Sequence, residues 1–204
     1  ETILTEALPM IENNDNFPYG ETNIYINLGN IYFDTYENDN AIFYFNKAIN
    51  SKTDEDIKSG IMNNIALVNM RQEKYQDAIQ ILYPLTLKKE ILDNTENYSR
   101  ILDNLGFCYL KLGNPKALDY LNKSRIIREQ INDERALIGS YYHLFEYYKK
   151  NNLNLAKNYI HVAYEKATKV NHVDDRLQCL ELLIQNSSGD ELKKHSLAFI
   201  HIND

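Results

Sequence analysis

The residues that most often carry chemistry in proteins are few and scattered in this sequence. Its 204 residues include five histidines and two cysteines. No two histidines stand four residues apart, the spacing that places two imidazoles on one helical face to bind zinc. Cys108 and Cys179 stand 71 residues apart, without the paired spacing of a zinc site. We therefore predict no metal site, and two cysteines that are buried as small hydrophobic side chains.

Carboxylates and glycines form no catalytic pattern either. Acidic runs such as Asp54-Glu55-Asp56 and Asp174-Asp175 stand where helices are expected to start, and carboxylates there cap the helix and meet the positive end of its dipole. The sequence has no glycine-rich phosphate loop, no H-E-x-x-H and no nucleophile elbow. We predict no catalytic residues and no cofactor, and we expect that the chain is not an enzyme.

Charge and hydropathy narrow the classes of partner. The net charge of −7 and the pI of about 5.3 argue against binding to nucleic acid, because binders of the phosphate backbone concentrate Lys and Arg. The longest apolar candidate, residues 198–202, is far shorter than the roughly 18 to 20 residues of a bilayer-spanning helix. We expect no membrane contact by this chain, although a longer parent protein could carry a membrane helix. A periplasmic and a cytoplasmic location both stay open.

An internal repeat is the strongest signal in the sequence. The first copy carries Tyr25, Leu28, Gly29, Tyr32, Ala41 and Phe45, at the spacing W-x2-L-G-x2-Y…A-x3-F with Tyr in place of Trp. The anchoring alanines of the four copies are Ala41, Ala78, Ala117 and Ala156, which stand 37, 39 and 39 residues apart. This pattern resembles the tetratricopeptide repeat, whose usual period is about 34 residues.

The resemblance implies an all-α fold, a right-handed α-solenoid of antiparallel helix pairs. We predict a single solenoid over residues 1–204, with repeats at 20–51, 54–91, 95–131 and 133–170. Residues 1–13 fit the second helix of a truncated repeat, and residues 172–203 fit a degenerate final pair. Because the pattern is open at its first residue, we expect a piece of a longer protein, and a dimer could form through the exposed solenoid ends.

Some motif positions predict local packing. Gly in a helix costs roughly 1 kcal/mol relative to Ala, so Gly29 and Gly106 are expected where the backbone of a neighbouring helix comes close. Phe145 replaces this small residue in the fourth copy, which predicts a splayed or shifted helix pair. Pro84 lies inside a helix predicted over 74–91, where the missing N–H predicts a bend.

Projection of the family's groove positions onto this chain gives a candidate binding surface on the first helix of each repeat. Asn27, Asn64 and Asn104 recur at one motif position. Their amides can pair with successive peptide groups of an extended ligand, whereas the alternative is that they hydrogen-bond within the scaffold. Both interpretations stay open. The predicted partner-binding residues are Asn23, Asn27, Asn30, Asn63, Asn64, Asp103, Asn104, Tyr142, His143 and Glu146.

The resemblance also bears on function. Ile26 and Gly60 stand where the carboxylate clamp of tetratricopeptide co-chaperones would have Lys, which disfavours a chaperone adaptor. The long period, the richness in Asn and Tyr and the closing segment 196–204 are similar to the tetratricopeptide regions of bacterial sensor kinases and LuxR-type regulators. This implies a peptide- or protein-binding region of a larger bacterial signalling or transcriptional regulator. The alternative is a structural assembly adaptor without a sensory role.

Overall fold

A computed structural model describes residues 6, 17, 19–88 and 92–203 of the chain. These residues form ten long helices and no β-strand, which confirms the all-α prediction. Within residues 20–111, and again within residues 117–203, consecutive helices pack against each other as antiparallel neighbours. They are α1 (Gly20–Asp34), α2 (Asn38–Asn50), α3 (Glu55–Arg71), α4 (Tyr75–Leu85), α5 (Thr95–Lys111), α6 (Ala117–Gln130), α7 (Glu134–Tyr148), α8 (Leu153–Lys169), α9 (Val173–Gln185) and α10 (Gly189–Asn203).

The chain divides into two compact units. The first unit is Glu1–Leu112 and holds α1 to α5, and the second unit is Gly113–Asp204 and holds α6 to α10. The helix predicted over 1–13 falls outside the described residues, except for Glu6. A single continuous solenoid over 1–204 stays a prediction.

One type of turn closes four of the helices. The residue two positions after each helix end has a positive φ, which is the left-handed conformation of a Schellman cap. These residues are Tyr36 (φ 64°), Glu73 (60°), Asn132 (56°) and Asn171 (53°). After α1, the N–H of Glu37 donates to the carbonyl of Tyr32 at 2.8 Å, and the equivalent bond recurs after α3, α6 and α8. The turns therefore satisfy the last carbonyls of these helices in the same way.

Acidic and amide side chains begin several helices, as predicted for the carboxylate runs. Asp54 accepts a hydrogen bond from the N–H of Ile57 at 2.8 Å at the start of α3. Asn94 accepts one from the N–H of Asn97 at 3.1 Å at the start of α5. Both bonds satisfy an N–H that has no partner inside the helix.

Close packing in the first unit centres on a glycine and a phenylalanine. Phe45 on α2 is 1% exposed and lies in a cluster with Ala41 and Ala48. A Cβ added to Gly29 on α1 would lie 2.5 Å from Cε1 of Phe45. The space at Gly29 is thus occupied by an aromatic ring, whereas the sequence led us to expect a neighbouring backbone.

The end of α4 differs from the prediction. The helix was expected to run to residue 91 with a bend at Pro84, but it ends at Leu85. After Pro84 the chain continues in short turns, in which the N–H groups of Thr86 and Leu87 donate to the carbonyls of Tyr83 and Pro84 at 3.1 and 3.2 Å. Proline supplies no N–H for the helical hydrogen bonds, and here it occupies the second-last position of α4.

The second unit has an aromatic core between α7 and α8. Phe145 is 1% exposed and packs in the cluster that also contains Leu144 and Ile160. Tyr159 stacks on Tyr141 and Tyr148, with ring centroids 6.2 and 5.7 Å apart. The fourth copy of the motif thus fills its core with large side chains, and the splayed helix pair expected at Phe145 stays a prediction.

Candidate functional site

A cavity of about 330 Å³ lies in the first unit, bounded by α1, α3 and α5. These are the first helices of three successive repeats, which is where a groove was predicted. Its apolar wall consists of Ile26, Ile57 and Ile61. Its polar wall consists mainly of asparagine amides and carboxylates near the N-terminal ends of the helices. The cavity can therefore accept a side chain that has both an apolar and a polar part.

Three residues at one motif position line the cavity, each two residues before the first residue of its motif copy. They are Asn23 on α1, Gly60 on α3 and Arg100 on α5. The repeat thus presents equivalent positions side by side, and the size and charge of these side chains define this part of the wall.

Gly60 is notable because its neighbours do not require a glycine. A Cβ built there meets no heavy atom within 4 Å, in contrast to Gly29. Gly60 lies inside α3, where Gly costs roughly 1 kcal/mol relative to Ala. Packing within the chain does not account for this cost, and a larger side chain at residue 60 would reduce the volume of the cavity.

A hydrogen-bonded network lines one side of the cavity. The carboxylate of Asp56 accepts bonds from Nδ2 of Asn94 at 3.1 Å and from Nδ2 of Asn97 at 3.3 Å. A guanidinium nitrogen of Arg100 donates to Oδ1 of Asn97 at 2.9 Å. This network links the starts of α3 and α5.

The predicted asparagines are partly used within the scaffold. Nδ2 of Asn104 donates to Oδ1 of Asn63 at 2.9 Å, and these residues are 8% and 0% exposed. Nδ2 of Asn64 donates to Oδ1 of Asn30 at 3.4 Å, in a half-buried contact. The Asn63–Asn104 pair corresponds to the alternative that the amides hold the helices together. Their role in partner binding stays a prediction.

The other predicted residues of the first unit are divided between surface and core. Asn23 and Asn27 are exposed on α1, and Asn23 lines the cavity together with Asn64. Asp103 is 4% exposed and lies in α5. The prediction omitted Asp56, which had been assigned to helix capping alone. Asn94 and Asn97 of the cavity wall were also omitted. Their position at the start of α5, the first helix of the third repeat, could have indicated them.

The predicted residues of the second unit all lie on α7. The rings of Tyr142 and His143 have centroids 5.9 Å apart. Both carboxylate oxygens of Glu146 accept bonds from Nζ of Lys149 at 2.7 Å. Burial raises the pKa of Tyr142, and the negative charge of Glu146 raises it further. These contacts position the three side chains without defining a ligand.

The cysteines are not nucleophiles in this fold. Cys108 is fully buried and Cys179 is 3% exposed, which confirms that they pack as small hydrophobic residues. Burial raises the pKa of each thiol to about 12, so both stay protonated at neutral pH. Within the described ranges, no three His, Cys, Asp or Glu residues come together to hold a metal ion. In the same ranges no helix has both the length and the apolarity to cross a bilayer.

Consecutive antiparallel helix pairs with small residues at recurring positions define an α-helical repeat fold. Residues 22–55 match the family model of the tetratricopeptide repeat. The crystal structure of BtubC (BKLC) from P. vanneervenii has the same fold, with a TM-score of 0.76, 15% sequence identity and coverage of 98% of this chain and 86% of that one. Among curated proteins, none matches the sequence.

The comparisons define the kind of protein at a coarse level. The tetratricopeptide repeat is a protein-interaction scaffold without catalytic activity. The prediction of a non-catalytic interaction module is therefore confirmed at the level of the repeat. The similarity to BtubC supports the fold alone, and a role in signalling stays a prediction.

Proposed function

We propose that this chain binds an extended peptide or a segment of a partner protein, with the cavity of the first unit at the centre of the binding surface. The observation that carries the proposal is the cavity itself, because three successive first helices line it with polar and apolar side chains. Asn23, Asn27, Asn30 and Asn64 form the part of the proposed surface that reaches solvent. Asn63, Asp103 and Asn104 support it as buried residues of α3 and α5.

Asparagine amides suit a ligand that presents its main chain. Each amide offers two N–H donors and one carbonyl acceptor. Asn64 uses one donor on Asn30, which leaves its carbonyl oxygen and its second N–H for a peptide group. An extended segment exposes alternating donors and acceptors, so a row of amides can hold it with little dependence on its side chains.

The finer proposal is that this binding region belongs to a larger bacterial signalling or transcriptional regulator. Its support is the long repeat period, the richness in Asn and Tyr and the closing segment 196–204. Similarity of the fold alone does not support it. Tyr142, His143 and Glu146 on α7 are proposed as a further part of the partner-binding surface. A full-length gene that encodes an output domain beside these repeats would support the regulator, and a protein made of repeats alone would favour the assembly adaptor.

The binding proposal is tested by capturing a partner with the intact chain and titrating it by calorimetry. The double variant Asn23→Ala with Asn64→Ala should bind about tenfold more weakly, because each lost hydrogen bond costs roughly 0.5 to 1.5 kcal/mol. Asn46→Ala is the matched control, since Asn46 is exposed on α2, which does not line the cavity. Equal affinity of the double variant and the intact chain would contradict the proposal. A loss confined to Asn46→Ala would favour the adaptor.

A further inference from the structure

Two carboxylates of the cavity have no cationic partner within the described ranges. Asp56 accepts bonds only from amides, and Glu96 forms no ion pair. The adjacent Glu55 is different, because Nζ of Lys88 lies 2.9 Å and Nζ of Lys58 3.8 Å from its carboxylate oxygens. The cations near this end of α3 therefore neutralise Glu55 and leave the cavity carboxylates uncompensated.

Arg100 does not reverse the charge of the cavity. Its guanidinium donates to Oδ1 of Asn97, which is neutral, at 2.9 Å. The lining then carries the carboxylates of Asp56 and Glu96 against one guanidinium. An anionic group placed beside Arg100 would have to tolerate both carboxylates, whereas a cationic group would meet a net negative wall.

The charge of the surrounding unit acts in the same direction. The first unit contains 17 acidic and nine basic residues, a net charge of −8, whereas the second unit contains 12 acidic and 13 basic residues, a net charge of +1. The negative charge of the chain thus belongs to the unit that contains the cavity. Such a field raises the local concentration of cationic ligands and speeds their association.

The apolar wall defines the shape of the occupant. Lys and Arg bury a long aliphatic stem while their charged group stays near polar partners. Ile26, Ile57 and Ile61 can cover such a stem, and the absence of a side chain at Gly60 leaves the space for it. A carboxylate near a helix start is explained by the helix dipole alone. The cavity, with the space that Gly60 leaves in it, is therefore the indication of a ligand that the helix dipole does not explain.

We infer that the cavity receives a lysine or arginine side chain from a basic, extended partner segment. This inference rests on the proposed function and specifies the chemistry of the partner. The aliphatic stem lies against the isoleucines, and the cationic group pairs with Asp56 and Glu96. The amides of Asn23 and Asn64 hold the adjoining main chain.

The test uses the intact chain and three pools of fluorescent synthetic peptides of equal length. One pool is rich in Lys and Arg, one in Asp and Glu, and one in Ser and Asn, with the same apolar residues in each. The basic pool should bind best, and its binding should weaken with salt. The double variant Asp56→Asn with Glu96→Gln should reduce that binding by about fivefold or more.

Two further variants distinguish the effect of the charges in the cavity wall from the effect of the overall charge of the first unit. Arg100→Gln should strengthen binding of the basic pool, because it removes a like charge. Glu73→Gln changes the net charge of the first unit by the same amount as one wall substitution, but residue 73 lies in the turn after α3 and should leave binding unchanged.

The possible outcomes separate the two proposals. Preferential binding of the acidic or the neutral pool would overturn the inference and leave the proposed function standing. Binding of the basic pool that is equally weakened by Glu73→Gln would also overturn it, since overall charge would then be the cause. The proposed function itself would fail if no pool bound and if the captured partner bound the double variant Asn23→Ala with Asn64→Ala as tightly as it binds the intact chain.

Discussion

The two units consist of the same kind of antiparallel helix pair, but the first helices of their repeats make different contacts. In the first unit, amides link neighbouring first helices, as in the bond between Asn104 and Asn63, and a cavity remains between the helices. In the second unit, α7 packs on α8 through Phe145 and stacked tyrosines, and Glu134 pairs with Lys166 and Lys169 at 2.6 and 2.7 Å. One unit is strongly acidic and the other nearly neutral.

This difference shows that the repeat motif fixes the packing of a helix pair and leaves the first-helix surface variable. Ala41 and Ala156 are each fully buried, one in each unit. The residue directly after the first motif position is Asn63 in one repeat and Tyr142 in another. Asn23, Gly60 and Arg100, which line the cavity, stand at another such variable position.

The largest expected effect concerns the aromatic residue in each core. Phe45→Ala and Phe145→Ala should each lower the free energy of unfolding by about 3 to 5 kcal/mol, because both rings are almost completely buried. Adding Gly29→Ala should recover part of the loss only in the Phe45→Ala background, where the ring no longer blocks the new Cβ. Urea unfolding measures all of these. Equal recovery in both backgrounds would contradict the assigned packing.

The amide pairs should differ in their cost to stability. Asn104→Ala should cost about 1 to 3 kcal/mol of unfolding free energy, because it leaves the buried carbonyl of Asn63 without its donor. Asn64→Ala should cost well under 1 kcal/mol, since its bond to Asn30 is long and half-buried. Denaturant titration compares the two variants. If they lost equal stability, the distinction between a scaffold pair and a surface amide would be wrong.

Acidification should lower the stability of the second unit because of His195. Burial lowers the pKa of His195, and the nearby His161 and the cations of Lys194 and Lys157 lower it further, while Glu191 opposes them. The folded state then binds this proton less readily than the unfolded state, so stability is lost as the pH falls below the ordinary histidine pKa of 6.5.

The measurement is the melting temperature of the intact chain across that pH range. His195→Gln should reduce the loss of stability on acidification, whereas His201→Gln, exposed on the same helix, should not. A pH dependence that is identical in both variants would exclude His195 as its source.

The smallest effect concerns the left-handed turns. Glu73→Gly should raise the free energy of unfolding by about 0.5 to 1 kcal/mol, because a side chain at a positive φ is strained. Asn132→Gly should gain only a few tenths, since Asn tolerates this conformation. Thermal unfolding compares them, and a larger gain at Asn132 would reverse the expected order.

The sequence predicted the helix pairs well because small and large residues recur at fixed spacing. It placed the end of α4 at residue 91 instead of Leu85, because the helical periodicity of the sequence continues past Pro84. The cavity was only partly predicted. Motif projection identified Asn23 and Asn64, but the cavity role of Asp56 depends on the distance between α3 and α5, which no spacing within one repeat encodes.

The central claim is that the first unit binds a partner through the space at Gly60. Gly139 on α7 holds the equivalent motif position in the second unit, and a Cβ there also meets no atom within 4 Å. Both Gly60→Leu and Gly139→Leu should fold at least as stably as the intact chain, because Leu favours the helix by several tenths of a kcal/mol or more. Calorimetric titration of the same basic peptide pool into both variants is the direct test. The account predicts that Gly60→Leu loses binding and Gly139→Leu retains it. Retained binding in a folded Gly60→Leu variant, or equal loss in both, would contradict it.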